Sequence, residues 1–387
     1  MIKLHLHKIT VLYLQTLFLS LMMTVSFYAQ SKNDIDIKIK EGTLLMYKNP
    51  DEAIRIGNKI IKDANGNVDY KIRAYKLISD AYSSKRDYQK SLEYVIKASQ
   101  ILHLSNDALL KIIITNKMGI QYHQLKIYDK SIQYLDQAEQ LMLEYPVKDS
   151  VLYYLGSNNT VRGFIYKEKL NCDLAIDFFD KGVNYLLESK SKLSNSIISI
   201  NRYNKGNCYI QMANYPEAKK NFEISIKYAI NVNASSLHAF ALKGLAQVYT
   251  LEGKFQDAIV TLKEANSISK NVKDLILNQE IYKGLSENYL ALNQWENYKE
   301  FHFKYLVTQK LIKERERKSI SDSLVEKQSE LSTKFEETVS TFSIIFLSVF
   351  VLIVIVVLIV LNRIKLAKKD IESLQNEITL LQNPKNV

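Results

Sequence analysis

Proline and glycine are scarce in this chain, with four Pro and eleven Gly among 387 residues. Turn-rich all-β and α/β folds need more of both, so the shortage leaves an all-α fold as the expectation. Cysteine is nearly absent too: there are two, Cys172 and Cys208, and no C-x-x-C spacing. Neither sign of charge forms an arm. The 52 Lys and Arg outnumber the 41 Asp and Glu but are spread evenly, which argues against a dedicated nucleic-acid binder. With 47% apolar and 24% charged residues the chain can bury a large core, which excludes wholesale disorder.

Catalytic signatures are missing as well. No G-x-x-x-x-G-K loop, G-x-S-x-G elbow or H-E-x-x-H pair occurs, so no catalytic residue is nominated and no enzyme activity is expected. His103, His123, His238 and His302 are widely separated without ligand spacing, so neither a metal nor a cofactor is expected.

What is present begins with two long uncharged stretches. No charge appears between Lys8 and Lys32, and the apolar run behind the basic start closes on Ser26-Phe27-Tyr28-Ala29-Gln30. This predicts a signal peptide over 1–29, with an uncleaved anchor as the alternative. The second stretch lies between Glu337 and Arg363, interrupted by few polar residues, among them Ser343 and Ser348. About twenty such residues span ~30 Å as a helix, the thickness of a hydrocarbon core, so a transmembrane helix is expected over 341–362. Lys3 and Lys8 precede the first stretch, and Arg363, Lys365, Lys368 and Lys369 follow the second. That asymmetry predicts a single-pass protein of a bacterial inner membrane, its middle exported to the periplasm and its tail in the cytoplasm.

The middle repeats itself. An aromatic residue is followed nine positions later by a small one, then by apolar or small residues four and seven positions beyond. Tyr209 with Ala218, Phe222 and Ser225, and Tyr249 with Ala258, Leu262 and Ala265, are the clearest copies. Tyr82, Tyr122 and Tyr166 fit the same frame, and small residues recur three positions before each tyrosine, at Ser79, Gly119, Gly163, Gly206, Ala246 and Ser286. A second aromatic usually sits six positions after, at Tyr88, Tyr128, Tyr215, Phe255 and Trp295.

This W-x2-L-G-x2-Y-x8-A-x3-F-x2-A pattern resembles the tetratricopeptide repeat. The resemblance covers about 35–306 and implies a solenoid of about seven helical hairpins. The first unit is degenerate, with Leu44 in the tyrosine place and Asn49-Pro50-Asp51-Glu52-Ala53 at the turn; the last has Tyr298 in the small-residue place. Atypical end units are what a solenoid needs for solubility. Unit spacings of 38 to 44 residues exceed the family's common 34 and imply longer helices.

The family generally recognises a peptide or protein partner on the concave face lined by the first helix of each unit. The resemblance places residues six and two positions before each tyrosine there: Lys76 and Asp80, Asn116 and Ile120, Thr160 and Phe164, Tyr203 and Asn207, Lys243 and Gln247, and Lys283 and Glu287. An ordinary solvated helix face is the alternative. Cys172 begins the second helix of the fourth unit and Cys208 lies near the end of the next helix, so antiparallel packing brings them together; a disulfide and two small buried residues both remain open.

From 307 to 340 the repeat pattern gives way to a charged helical stalk. Beyond the membrane segment Ile364, Ile371 and Ile378 fall seven apart, with Ala367, Leu374 and Leu381 three later in each heptad. This seam over 363–387 predicts a parallel homodimeric coiled coil, marginal alone because it is under three heptads. Signal peptide, exported repeats, one membrane helix and cytoplasmic coil together resemble bacterial membrane-anchored sensors and regulators. Such proteins usually continue into a histidine kinase or DNA-binding domain, which the residues after Asn362 are too few to build. The expectation is a regulator that signals through its coil, with a tethered periplasmic scaffold, or a shortened relative of those regulators, as alternatives.

Overall fold

The computed structural model describes residues 34–64, 66–191, 193–270, 272 and 274–382, and the expected signal peptide at 1–29 lies outside the described residues. Among the described residues the structure is helical without strands. The helices pair as hairpins: α1 (34–45) with α2 (Pro50–Asp63), α3 (Val68–Ser84) with α4 (Tyr88–Gln100), α5 (Ala108–Gln124) with α6 (Tyr128–Glu144) and α7 (Lys148–Glu168) with α8 (Cys172–Glu188). Then follow α9 (Ser194–Gln211) with α10 (Tyr215–Asn231), α11 (Ser235–Leu251) with α12 (Phe255–Ser269), and α13 (Leu275–Ala291) with α14 (Trp295–Gln382). Each of six repeat tyrosines closes a first helix, and the position six residues on opens the second.

Local chemistry fixes these boundaries. Asn49, Asn67, Asp87, Asp107, Asn171, Asn214 and Asp274 each cap the helix that follows, accepting a hydrogen bond from a backbone N–H two or three residues ahead of them in the chain. Pro50 and Pro216 stand in first turns, where a missing N–H costs nothing. In the six hairpins that carry the tyrosine, the residue four after it takes the left-handed conformation. Arg86, Lys126, Leu170, Ala213, Gly253 and Asn293 have φ of 63°, 59°, 60°, 55°, 75° and 54°.

Close packing explains the small residues. A Cβ on Gly163 would come within 2.4 Å of the Phe179 ring, and one on Gly206 within 2.7 Å of Phe222; both rings are fully buried. In the second hairpin serines take both small positions and satisfy each other. The Ser79 hydroxyl donates to the Ser91 carbonyl at 2.8 Å, and the Ser91 hydroxyl donates to the Ser79 carbonyl at 2.6 Å.

The chain divides into two compact units, Met1–Thr308 and Gln309–Val387. Within the first, α5, α7, α9, α11 and α13 touch one another in sequence, whereas no comparable contact joins the second helices among the described residues. The stack therefore curves with its first helices inside. Arg86, in the α3–α4 turn, lies 3.5 Å from Asp274 at the start of α13, so this unit coils back on itself. Leu44, in the tyrosine place of the first hairpin, is 69% exposed, as befits an end unit.

The second unit is described only as helix. Among the described residues one helical stretch, Thr338–Thr379 within α14, is long and apolar enough to cross a membrane by length and composition.

Candidate functional site

Four consecutive hairpins bring polar side chains together on the inner face. Lys76 and Asp80 stand one turn apart on α3, and the Lys76 ammonium donates to Asp80 Oδ2 at 2.7 Å. Lys117 reaches from α5 to the other oxygen, 2.6 Å from Asp80 Oδ1. Tyr153 and Tyr154, in the first turns of α7, pack edge to face at 5.3 Å and lie within electrostatic reach of both Lys76 and Asp80. Tyr47, in the α1–α2 turn, faces the same group and is 78% exposed.

The electrostatics follow from this crowding. Burial pushes the Asp80 carboxyl up, but Lys117 and then Lys76 more than reverse that, holding it well below the usual carboxylate range. Lys76 is raised, chiefly by Asp80. Burial pushes the Tyr153 hydroxyl up to about 12, so it stays a neutral donor at neutral pH. Two lysines on one carboxylate leave a local excess of positive charge, beside two tyrosine rings and an accessible third.

The remaining residues expected on this face are placed differently from one another. Asn116 is buried and accepts a hydrogen bond from Asn158 Nδ2 at 3.1 Å, while Asn158 also donates to the Leu135 carbonyl at 2.9 Å. Its amide oxygen joins α5 to α7. Thr160 is buried as well, donating to the Gly156 carbonyl at 2.8 Å. The Tyr203 ring stands 5.8 Å from Phe222 and 6.0 Å from Phe240, with the Lys243 ammonium 5.9 Å from its centroid. Asn207 is half-buried and Gln247 exposed. Lys283 and Glu287 are exposed and 3.9 Å apart.

Further along, basic side chains are enclosed by acids of the preceding hairpin. Arg162 lies 2.7 Å from Asp136 and 3.1 Å from Glu139, and its Nε donates to Asn158 Oδ1 at 2.9 Å. Lys205 donates to both oxygens of Asp180 at 2.5 and 2.7 Å. Both bases are buried, so these pairs belong to the walls.

The two-position reading of the helices missed Lys117, Tyr47, Tyr153 and Tyr154. Lys117 lies one residue beyond Asn116 and points to the previous hairpin. Tyr153 and Tyr154 lie near the start of α7, 13 and 12 residues before Tyr166 and so beyond the two positions read on each helix.

No family model matches the chain. A TPR repeat-containing protein of Methanocaldococcus jannaschii is 25% identical over 270 residues, covering 58% of this chain and 42% of its own. The chain thus spans about two-fifths of the length of that curated relative. Among solved structures, a signal transduction ATPase with numerous domains and a tetratricopeptide repeat sensor, from Pyrococcus horikoshii, aligns with a TM-score of 0.56. Identity there is 16%, over 70% of this chain and 40% of that one. The Cut9–Hcn1 hetero-tetramer of the APC/C aligns with a TM-score of 0.50 at 15% identity, over 67% of this chain and 45% of that one. These likenesses support the tetratricopeptide-type repeat, and the fold is an all-α solenoid of that type.

Proposed function

We propose that this chain is a membrane-anchored repeat protein that binds an extended peptide or protein segment along its inner face, and that it is not an enzyme. The observation that carries the reading is the convergence of Tyr47, Lys76, Asp80, Lys117, Tyr153 and Tyr154 from four consecutive hairpins. Ammonium donors, a carboxylate and aromatic rings in one concavity can hold both the backbone and the side chains of an extended ligand. Lys76, with its side chain 36% exposed, keeps donors open to such a ligand.

The apolar helix after Thr338 supports anchoring, and the basic flank after it favours a cytoplasmic tail with an exported solenoid. In this reading the tail pairs in parallel with that of a second copy and carries occupancy of the groove inward.

The test is a photoreactive amino acid placed at position 117 or 154 in the full-length protein in its native membrane, with position 137 on the outer helix α6 as control. Covalent adducts confined to 117 and 154 support the groove. Equal labelling at all three, or none at the inner positions, refutes it.

A further inference from the structure

We infer that Cys172 and Cys208 are a disulfide site, a covalent staple between α8 and α9. They are the only two cysteines of the chain, so neither has another intramolecular partner. Cys172 opens α8, while Cys208 and Gln211 stand three residues apart on the last turn of α9 and therefore share a face. The Cys172 thiol donates to Gln211 Oε1 at 3.0 Å, on the same turn of α9 as Cys208. Both sulfurs belong to one packed cluster with Ala175 and Phe179.

The two thiols differ in access, which sets the order of reaction. Cys172 is 9% exposed and Cys208 is fully enclosed. Burial, and then the neighbouring sulfur, push the Cys208 thiol far up, so it is a poor first attacker. With a disulfide R–S–S–R as oxidant, Cys172 attacks one sulfur and releases the first R–S⁻, leaving a mixed disulfide. Cys208 then attacks the Cys172 sulfur and expels the second. The two thiol protons pass to the two departing thiolates, and the two electrons end in the two R–SH molecules.

The bond would join the fourth hairpin to the fifth. In a solenoid, stability runs through nearest-neighbour interfaces, and a link from 172 to 208 also restricts the unfolded chain by closing a loop over α8 and most of α9. The inference is independent of what the groove binds. An exported domain would meet disulfide-carrying oxidants, but the geometry can be tested apart from location.

Purified full-length protein in detergent micelles is incubated with glutathione disulfide, denatured, alkylated and read by mass spectrometry. The expected product is monomeric on a non-reducing gel, lighter by two hydrogens, closed to alkylation, and yields one peptide pair joined at 172 and 208. Its melting temperature should rise and return on addition of dithiothreitol. Two free thiols, glutathione retained on both cysteines, or an intermolecular crosslink would overturn the site. Cys208→Ser should trap glutathione on Cys172, whereas Cys172→Ser should leave Cys208 unmodified; equal capture by the two variants overturns the order of attack. The same trap in intact cells reports separately on export. Free thiols there, with the bond still forming in micelles, count against an oxidising surround and not against the site.

Discussion

Lys117 on α5 lies 2.6 Å from Asp80 on α3, taking the carboxylate oxygen that Lys76 leaves open. One acid thus holds two bases from neighbouring hairpins. Because the Asp80 side chain is 17% exposed and that of Lys117 13%, removing the charge leaves two ammonium groups facing each other with little water between. We expect Asp80→Asn to cost about 1–3 kcal/mol at pH 7, as for a polar group deprived of its partner. The carboxyl is held below its ordinary value, so its contribution is complete above the unfolded carboxylate range, about pH 4, and is lost as pH falls through the lower folded value. Urea unfolding at pH 7 and pH 3 checks this: the gap between the two proteins should narrow at pH 3. An equal gap at both would show that the ion cluster does not carry the effect.

Ala218 and Ala258 are fully buried where second helices cross first ones. Replacing either by Leu should overpack the crossing and cost about 1–3 kcal/mol. The loss should spread to adjacent hairpins, since each is held by its neighbours. Amide hydrogen exchange before and after substitution measures that spread. Protection lost only within the substituted helix would mean that the repeats are uncoupled.

Leu170 joins α7 to α8 with φ of 60° and is 82% exposed, so it bears a left-handed backbone and has little packing to lose. Glycine relieves the Cβ clash, against the freedom it adds to the unfolded chain. We expect Leu170→Gly to stabilise the protein by up to about 1 kcal/mol. Gly253→Leu at the equivalent turn should do the opposite, because Gly253 has φ of 75°. Thermal melts of both variants decide it, and shifts of the same sign would contradict the turn argument.

These turns also mark how far the sequence could be read. Hairpin periodicity was legible because small and apolar residues recur at buried positions where helices meet closely, as Gly163 against Phe179 illustrates. The left-handed turn position was not legible, since Arg86, Lys126, Leu170 and Ala213 carry no signature of it and only Gly253 and Asn293 do. The family resemblance nominated Lys76 with Asp80, which meet. It equally nominated Asn116, whose amide oxygen is bonded to Asn158. Helix periodicity tells which face a residue occupies but not what arrives from the next hairpin, which is why Lys117 and the tyrosines of α7 escaped it.

The tail presents a different relationship between pattern and structure. Ile364, Ile371, Leu374 and Ile378 are 59%, 59%, 57% and 53% exposed in the single chain, an apolar row along helix α14 with nothing covering it. Leu381 continues the heptad in sequence, and its side chain lies outside the described residues. Such a row can be covered by a second copy in register, but under three heptads is marginal in water. Anchoring both chains in one bilayer raises their effective concentration, so we expect pairing in membranes and little in the isolated tail peptide. Leu374→Asp together with Leu381→Asp places charge in the seam and should abolish pairing, whereas Ser373→Asp, off the seam, should leave it intact. Cysteine crosslinking at position 374 or 378 in membranes, compared with position 373, measures the outcome. Preferential crosslinking at 374 and 378 supports a parallel coil. Equal crosslinking at all three would mean that the chains meet without a seam, and the tail would then offer no geometry by which a change at the groove could be carried across the membrane.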